Sequence, residues 1–326
     1  MDIHQIKSMS DLYEYVQEDN IPWVSPSKKL ILRHEAARIK NTRHTGRFVQ
    51  AKEMLLAVYP FRYLLARHRY QTIVTFRSKD LRQQIRQAAI TDILQNSSQY
   101  EQAYALLDET SRKTFLHMLL YRLTGDYTLS IDVQSPNEQY FSNQISWGKG
   151  QTIVDCGAYI GDTLSAFLRH EIDIANYYLY ELDDANYTKM SEICEAARQK
   201  GIDTYPKKMG VYSHATTLYF QSAADSSTLV DYPTENAIPV VSIDEDIHDN
   251  VSFIKMDIEG SELEAINGAV GIIQRDKPLL AICIYHKQED FWKIPLRIKE
   301  ICPDYKKFWI EQYSPWDIET VLYAQA

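Results

Sequence analysis

Nine residues decide the fold class of this chain: Asp155-Cys156-Gly157-Ala158-Tyr159-Ile160-Gly161-Asp162-Thr163. An apolar run over 152–154 precedes them and a helical pattern starting at Leu164 follows, which predicts a strand, a glycine loop and a helix. Two glycines let the backbone pass close to a ligand, and the start of a helix offers N–H groups that lack partners within the helix. We therefore expect a cofactor to bind at this loop.

An acidic residue follows the next predicted strand. The apolar run Tyr177-Tyr178-Leu179-Tyr180 leads directly into Glu181 and Leu182. In nucleotide-binding α/β folds, an acid at the tip of the second strand accepts hydrogen bonds from the ribose hydroxyls. The loop and the acid together predict a nucleoside cofactor.

The spacing of the glycines narrows the identity of that cofactor. The loop has the pattern Gly-x-x-x-Gly and lacks the middle glycine through which a dinucleotide fold admits a pyrophosphate. Asp155 suits a cationic amino group and would repel a phosphate. S-adenosylmethionine, which carries an amino group and no pyrophosphate, is favoured over a nicotinamide dinucleotide.

Composition sets broad limits on the protein. The chain has 326 residues, of which 45% are hydrophobic and 24% charged, as is usual for a globular protein in water. No apolar run approaches the roughly 18 residues of a membrane span, and the first five residues do not resemble a secretory signal. Four cysteines lie far apart, so we expect reduced, buried thiols and a cytoplasmic location.

Charge is spread unevenly along the chain. Through Asp92 the chain is basic, most densely between Lys28 and Lys52, whereas the remainder is strongly acidic and the net charge is −9. The basic part could be a solvated helical face that docks on the acidic part, or it could bind an anionic substrate. No RNA-binding signature accompanies it, so no nucleic-acid partner is expected.

The pattern of elements changes near residue 135. We predict a mainly helical N-terminal domain over 1–135 and an α/β domain over 136–326. Strands are predicted at Thr152–Asp155, Tyr177–Glu181, Asp203–Val211, Ser252–Asp257, Leu279–Tyr285, Lys307–Gln312 and Thr320–Ala324, with short β-like pieces of an inserted hairpin region between Gly210 and Asp244. Helices are predicted at Glu53–Tyr59, along a long apolar pattern that ends at Gly125, and at Ser261–Arg275, and Gln71–Phe76 could be one short strand. The turn between the last two strands is too short for a helix, so they must be antiparallel. A mostly parallel seven-stranded sheet with an antiparallel last hairpin is the layout of class I methyltransferases, whose fold is Rossmann-like.

Carboxylates and a histidine follow two later strands. Asp257 and Glu259 come after one strand and His286 after the next, at the edge where open α/β sheets bind ligands. Asp257 and Glu259 could position a substrate or share a divalent metal ion, although two carboxylates do not specify a metal. Ser261 and Glu262 are interpreted as capping residues of the next helix.

Three segments resemble the FkbM family of S-adenosylmethionine-dependent methyltransferases. They are 155–163, Ile254-Lys255-Met256-Asp257-Ile258-Glu259-Gly260-Ser261-Glu262 and Ile282-Cys283-Ile284-Tyr285-His286-Lys287. The resemblance covers roughly 105–326 and implies O-methylation of a sugar or natural product. It implies that one set of residues binds the cofactor: Asp155, Gly157, Gly161, Thr163 and Glu181, with Ala158, Tyr159, Asp162 and Leu182 beside them. It also implies that Asp257, Glu259 and His286 face the acceptor.

The proton of an acceptor hydroxyl must be removed during methyl transfer. We take His286 as the general base, with Asp257 orienting either the base or the acceptor, and Asp257 also bordering the cofactor. Tyr140 and Ser226 are candidate covers for the cofactor, although each could equally have a structural role. The acceptor is expected to be a small molecule or glycan, and the N-terminal helices could pair in a homodimer.

Two other functions remain compatible with these patterns. A nicotinamide-dependent oxidoreductase would have a similar loop and ribose acid. A methyltransferase-like module that binds the cofactor without catalysis would retain both as well. An acceptor nitrogen or a protein acceptor also stays open.

Overall fold

The computed structural model describes residues 3–18, 21, 79–223, 226–230, 232–233 and 236–326. The basic stretch Lys28–Lys52, the predicted helix Glu53–Tyr59 and the predicted strand Gln71–Phe76 lie outside the described residues. The chain divides into two compact units. One comprises Met1–Asn96, Leu116–Asp132 and Pro315–Asp317, and the other comprises Ser97–Phe115, Val133–Ser314 and Ile318–Ala326. The domain boundary expected at residue 135 stays a prediction.

Helices dominate the described part of the first unit. They include α1 (Met9–Val16) and α2 (Lys79–Gln95), and later α5 (Thr128–Asp132). A capping box starts α1, because Ser8 accepts from the Asp11 N–H while the Asp11 side chain accepts from the Ser8 N–H. Among the described residues, no helix is both long and apolar enough to cross a bilayer.

The single long helix predicted before Gly125 is wrong, because the structure has two helices. These are α3 (Ser97–Leu106) and α4 (Glu109–Thr124). The Asp108 carboxylate accepts a hydrogen bond from Ser111 N at 2.7 Å, which satisfies an N–H at the start of the second helix. The predicted end at Gly125 is confirmed, since this residue has φ +70° and lies just beyond α4.

A seven-stranded sheet forms the centre of the second unit, with the order β10-β11-β9-β8-β1-β2-β3. The strands are β1 (Gln151–Cys156), β2 (Ile174–Tyr180), β3 (Asp203–Lys207), β8 (Phe253–Met256), β9 (Leu279–Cys283), β10 (Lys307–Gln312) and β11 (Thr320–Gln325). The pairs β1–β2, β2–β3, β1–β8 and β8–β9 are parallel, whereas β11 is antiparallel to both β9 and β10. The predicted class I methyltransferase fold is confirmed.

The strand predicted over Asp203–Val211 is wrong as a single element. It divides into β3 and β4 (Gly210–Val211), which belong to different sheets. The second sheet has the order β4-β7-β5-β6, with β5 (Thr216–Ala223), β6 (Ser226–Val230) and β7 (Asn236–Val241). It confirms the β-rich insertion expected between Gly210 and Asp244.

The helix predicted over Ser261–Arg275 is also two helices, α9 (Glu262–Asn267) and α10 (Val270–Asp276). The break is at Gly268, where an added Cβ would lie 2.1 Å from Tyr212 O. Asp244, in the short helix α8 (Ile243–Asp246), accepts from Gly271 N at 2.7 Å and Ile272 N at 2.8 Å. The second helix therefore begins where a carboxylate from another element satisfies its N–H groups.

The remaining helices flank the main sheet: α6 (Asp162–Arg169), α7 (Asp184–Arg198) and α11 (Asp290–Ile301). Phe167 on α6 packs edge-to-face against Phe253 of β8 and Tyr177 of β2. The four cysteines are buried and free of disulfides, as predicted. This core holds the carboxyl ends of β1, β2, β8 and β9 beside one another, where the site residues follow them.

Candidate active site

The loop after β1 is held against the ends of both neighbouring strands. Gly157 N and Ala158 N donate to Tyr180 O at the end of β2, at 3.0 and 2.9 Å. On the other side, Asp257 N donates to Cys156 O, and a Cβ on Gly157 would lie 1.9 Å from Asp257 O. Gly157 has φ +79°, so a residue without a side chain is required at this crossing.

The second half of the loop leads into α6 with an uncapped start. Gly161 has φ +78°, and no side chain caps the first N–H groups of the helix. Thr163 is buried and Asp162 is exposed in the first turn. Tyr159 has φ +49° with an exposed side chain, a conformation that non-glycine residues adopt rarely and mostly at functional sites. This arrangement leaves helix N–H groups available to a ligand.

Glu181 follows β2 immediately and turns its carboxylate toward backbone N–H groups. Oε1 accepts from Leu182 N at 2.9 Å and from Asp183 N at 2.8 Å. Burial raises the pKa of this carboxyl group, while hydrogen bonds from Asp183, Leu182 and Tyr159 N–H groups oppose that rise. The acid is thus oriented at the tip of β2, beside the loop after β1.

The Asp155 carboxylate is bound by other side chains of the protein and does not reach the surface. It is fully buried, with Oδ1 lying 2.9 Å from Lys255 Nζ and Oδ2 accepting from the Tyr177 hydroxyl at 3.1 Å. Burial acts to lower the pKa of Lys255, but the carboxylates of Asp155 and Asp257 outweigh it and the pKa is raised. Lys255 also donates to Gly157 O, so the pair ties β8 to the start of the loop. Sequence reasoning assigned no role to Lys255.

The other predicted cofactor residues lie in different settings. Tyr140 is buried with φ +70°, its hydroxyl 3.7 Å from Cys283 Sγ and its ring 5.7 Å from Lys255 Nζ. It therefore packs inside the same edge of the sheet. Leu182 is half-buried and borders Gly210. Ser226 begins β6, in the inserted sheet.

Asp257 and His286 are brought together by the ends of β8 and β9. Asp257 Oδ1 accepts from the Tyr285 hydroxyl at 2.9 Å and lies 3.5 Å from His286 Nε2. Glu259 Oε2 is 3.6 Å from the same nitrogen, but 86% of the Glu259 side chain is exposed. Glu259 has φ +56°, and Gly260 beside it has φ +91°. The three residues predicted to face an acceptor therefore lie at one edge.

Glu262 is the residue that sequence reasoning misjudged. Ser261 makes no capping hydrogen bond, and Glu262 is completely buried instead of sitting exposed at the helix start. Its Oε1 accepts from Ile258 N at 2.8 Å and lies 2.9 Å from His286 Nδ1. A signal was present in the sequence, because Glu262 shares its helical face with Ala265 and Ile266, which are both buried. An acid on an apolar face indicates a buried partner.

Several carboxyl groups lie around His286. Burial opposes protonation of His286, but Glu262, with Asp257 and Glu259, raises the pKa of this histidine. Burial and the nearby Glu262 raise the pKa of Asp290 to about 7. Among the described residues, Asp257, Glu262 and His286 form a group whose ligand atoms lie within 4.8 Å of one another, a donor set that could hold a metal ion.

Comparisons with known proteins agree with this fold. Residues 155–312 match the family described as "Methyltransferase FkbM domain". The crystal structure of methyltransferase FkbM from Methylobacillus flagellatus KT aligns at a TM-score of 0.62 and 27% identity, over 72% of this chain and 60% of that one. The chain therefore spans less than two thirds of the length of this relative. No curated protein matches the chain.

Two further solved structures have lower similarity. One is a candidate rRNA methylase from Clostridium thermocellum, with a TM-score of 0.34 and 14% identity over 55% of this chain and 87% of that one. The other is a candidate methyltransferase from Streptococcus mutans in complex with SAH, with a TM-score of 0.32 and 14% identity over 55% of this chain and 91% of that one. At these scores neither structure informs the site of this chain.

Proposed function

Because residues 155–312 match the methyltransferase FkbM domain, we propose that this protein transfers a methyl group from S-adenosylmethionine to an acceptor hydroxyl. The observation that carries the proposal is the position of Glu181 at the tip of β2. The loop after β1 is hydrogen-bonded to the last residue of that strand, Tyr180, so the acid and the loop are adjacent. A nucleoside with its ribose at Glu181 fits this arrangement.

The residues present fit S-adenosylmethionine rather than a dinucleotide. Gly157 and Gly161 place no side chain at two positions of the loop, and the exposed Tyr159 and Asp162 belong to the same segment. The loop has no middle glycine of the kind that admits a pyrophosphate. When bound, the cofactor would supply an electrophilic methyl group on a sulfonium. The protein would orient the nucleoside through Glu181 and the loop backbone.

The acceptor edge contains the groups needed to bind and deprotonate a hydroxyl. Asp257, held by Tyr285, would orient the acceptor, and the exposed Glu259 would contact its polar groups. His286 Nε2 faces both carboxylates and is the nitrogen that we propose takes the proton. Carboxylates and an imidazole suit a polyhydroxylated acceptor such as a sugar or a natural product. A cytoplasmic location and a homodimer stay predictions.

The cofactor assignment is tested by calorimetry with S-adenosylhomocysteine. Glu181→Ala should weaken binding by about tenfold or more, because hydrogen bonds to two ribose hydroxyls are lost. Glu192→Ala, an exposed change on α7, is the matched control and should bind normally. Unchanged affinity in Glu181→Ala would remove the ribose assignment. No affinity in the native protein would remove the whole proposal.

The base assignment is tested by His286→Ala. Turnover should fall by about 10²–10⁴-fold, the usual contribution of a positioned base, with S-adenosylhomocysteine affinity near normal. The assay follows radiolabelled methyl transfer to a panel of sugars, polyketide alcohols and amines. Undiminished turnover excludes His286 from the chemistry, and transfer to amines alone would replace O-methylation with N-methylation.

A further inference from the structure

The cluster at the ends of β8 and β9 holds two carboxylates and one imidazole that converge. Asp257 approaches from the end of β8, Glu262 from the start of α9 and His286 from beyond β9. One ligand atom from each lies within 4.8 Å of the others. Three different segments supply these groups, so their convergence is a property of the tertiary fold.

A second observation concerns Glu262: one of its two carboxylate oxygens has no hydrogen-bond partner among the described residues. The side chain is completely buried, and its Oε1 accepts from Ile258 N and lies 2.9 Å from His286 Nδ1. Oε2 is also buried, and among the described residues it has no hydrogen-bond partner. A buried carboxylate oxygen without a partner is strongly unfavourable unless a cation or donor satisfies it.

His286 supports the same conclusion through its orientation. Its side chain is 8% exposed, and Nδ1 lies 2.9 Å from Glu262 Oε1. Despite this short distance, neither ring nitrogen has an aligned hydrogen-bond partner among the described residues. Two ligands that bind one octahedral cation at right angles, each at about 2.1 Å, lie about 3.0 Å apart without pointing at each other. Glu262 Oε1 and His286 Nδ1 have that separation, and Asp257 Oδ1 lies 3.5 Å from the other ring nitrogen, Nε2.

The excess of carboxylates around His286 also favours a bound cation. Asp257, Glu259 and Glu262 each have a carboxylate oxygen within 3.6 Å of a ring nitrogen of His286, and Asp290 lies near Glu262. Lys255, the buried cation on β8, is already paired with Asp155 and donates to Gly157 O. A protonated His286 would balance only one of the three carboxylates nearest to it.

We propose that Asp257, Glu262 and His286 form a binding site for one divalent cation. Oxygen ligands with a single imidazole suit Mn²⁺ or Mg²⁺, and three protein ligands leave coordination positions open. The exposed Glu259 borders these open positions. The catalytic consequence rests on the proposed function: an acceptor hydroxyl bound to the cation would be acidified. His286 would then bind the cation instead of taking the proton, which would pass to the exposed carboxylate of Glu259. His286→Ala would lower turnover through loss of the cation.

Cation binding is measured directly, without any methyl-transfer assay. The purified protein is treated with a chelator, dialysed, and titrated with Mn²⁺ while free Mn²⁺ is followed by electron paramagnetic resonance. One saturable site per chain is expected. Glu262→Gln should weaken it at least tenfold, whereas Glu264→Gln, two residues further along the same helix, should leave it unchanged.

The Mn²⁺ titration either supports or overturns the cation site. No saturable Mn²⁺ binding at millimolar concentration overturns it, as does equal binding by Glu262→Gln and the native protein. If Glu262→Gln does not fold, Asp257→Asn replaces it with the same expectation, because Asp257 is only partly buried. Binding of S-adenosylhomocysteine to the metal-free protein is measured in parallel. A protein that binds the nucleoside but not Mn²⁺ retains the proposed function and loses only the cation site.

Discussion

Gly157 is the residue at which the loops after β1 and β8 cross. Its Cβ position lies 1.9 Å from the Asp257 carbonyl oxygen, and its φ of +79° is one that side chains disfavour. The backbone there cannot move away without disturbing Asp257 N, which is bonded to Cys156 O. The proposed cofactor loop and acceptor edge are therefore coupled through one glycine.

Gly157→Ala is expected to weaken S-adenosylhomocysteine binding and to lower stability. The unfavourable φ alone costs about 1–2 kcal/mol, and the overlap with a backbone oxygen adds to it. Gly150→Ala is the control, because Gly150 has φ +60° but nothing within 4 Å of its Cβ position. Calorimetry and urea denaturation measure the two effects. If Gly157→Ala and Gly150→Ala change affinity and stability equally, the close approach of Gly157 to the Asp257 carbonyl oxygen is not important for either.

The predicted site residues differ in how far the sequence could specify them. The position of Glu181 beside the glycine loop could be predicted, because this acid directly follows the strand that neighbours the loop's strand. Asp155 could be placed in β1, but its pairing with Lys255 depends on the lateral register of β1 and β8. That register brings together residues separated by about a hundred positions, and no local pattern reports it.

At the scale of elements, α10 depends on a side chain from elsewhere in the chain. Asp244 accepts hydrogen bonds from the Gly271 and Ile272 N–H groups, and an added Cβ at Gly271 would lie 3.2 Å from its carboxyl group. The helical periodicity runs through 261–275 without interruption, so the sequence predicted one helix. The close approach of Gly268 to Tyr212 O and the cap by Asp244 divide it.

Asp244→Ala should destabilise the protein by about 1 kcal/mol or more, the usual cost of removing a helix cap. Urea denaturation followed by circular dichroism measures the change. Asp203→Ala, an exposed acid at the start of β3, is the control and should have little effect. If both variants unfold at the same urea concentration as the native protein, the cap does not stabilise α10.

At the scale of the whole molecule, β11 connects two parts of the main sheet. It lies between β9 and β10 in the strand order and is antiparallel to both. Four consecutive residues, 321–324, are fully buried. Without this strand, β10 loses the partner that joins it to the sheet.

Truncation after Ile318 should abolish cooperative thermal unfolding. The exposed edge of β9 and the loss of apolar burial leave the sheet without its closing hairpin. Removal of Ala326 alone, which is exposed, should leave the melting temperature unchanged. A truncated protein that still unfolds in one sharp transition would contradict this role for β11.

The sequence by itself determined the fold class, the glycine loop after β1, the acid after β2 and the antiparallel end of the sheet. Each follows from a local pattern: glycine spacing, a strand followed by an acid, or a turn too short for a helix. Only the tertiary structure decided that Lys255 pairs with Asp155, that Glu262 is buried against His286 and that 261–275 is interrupted. These depend on which distant segments approach one another, because burial and the pairing of buried charges are set by packing and not by neighbours along the chain.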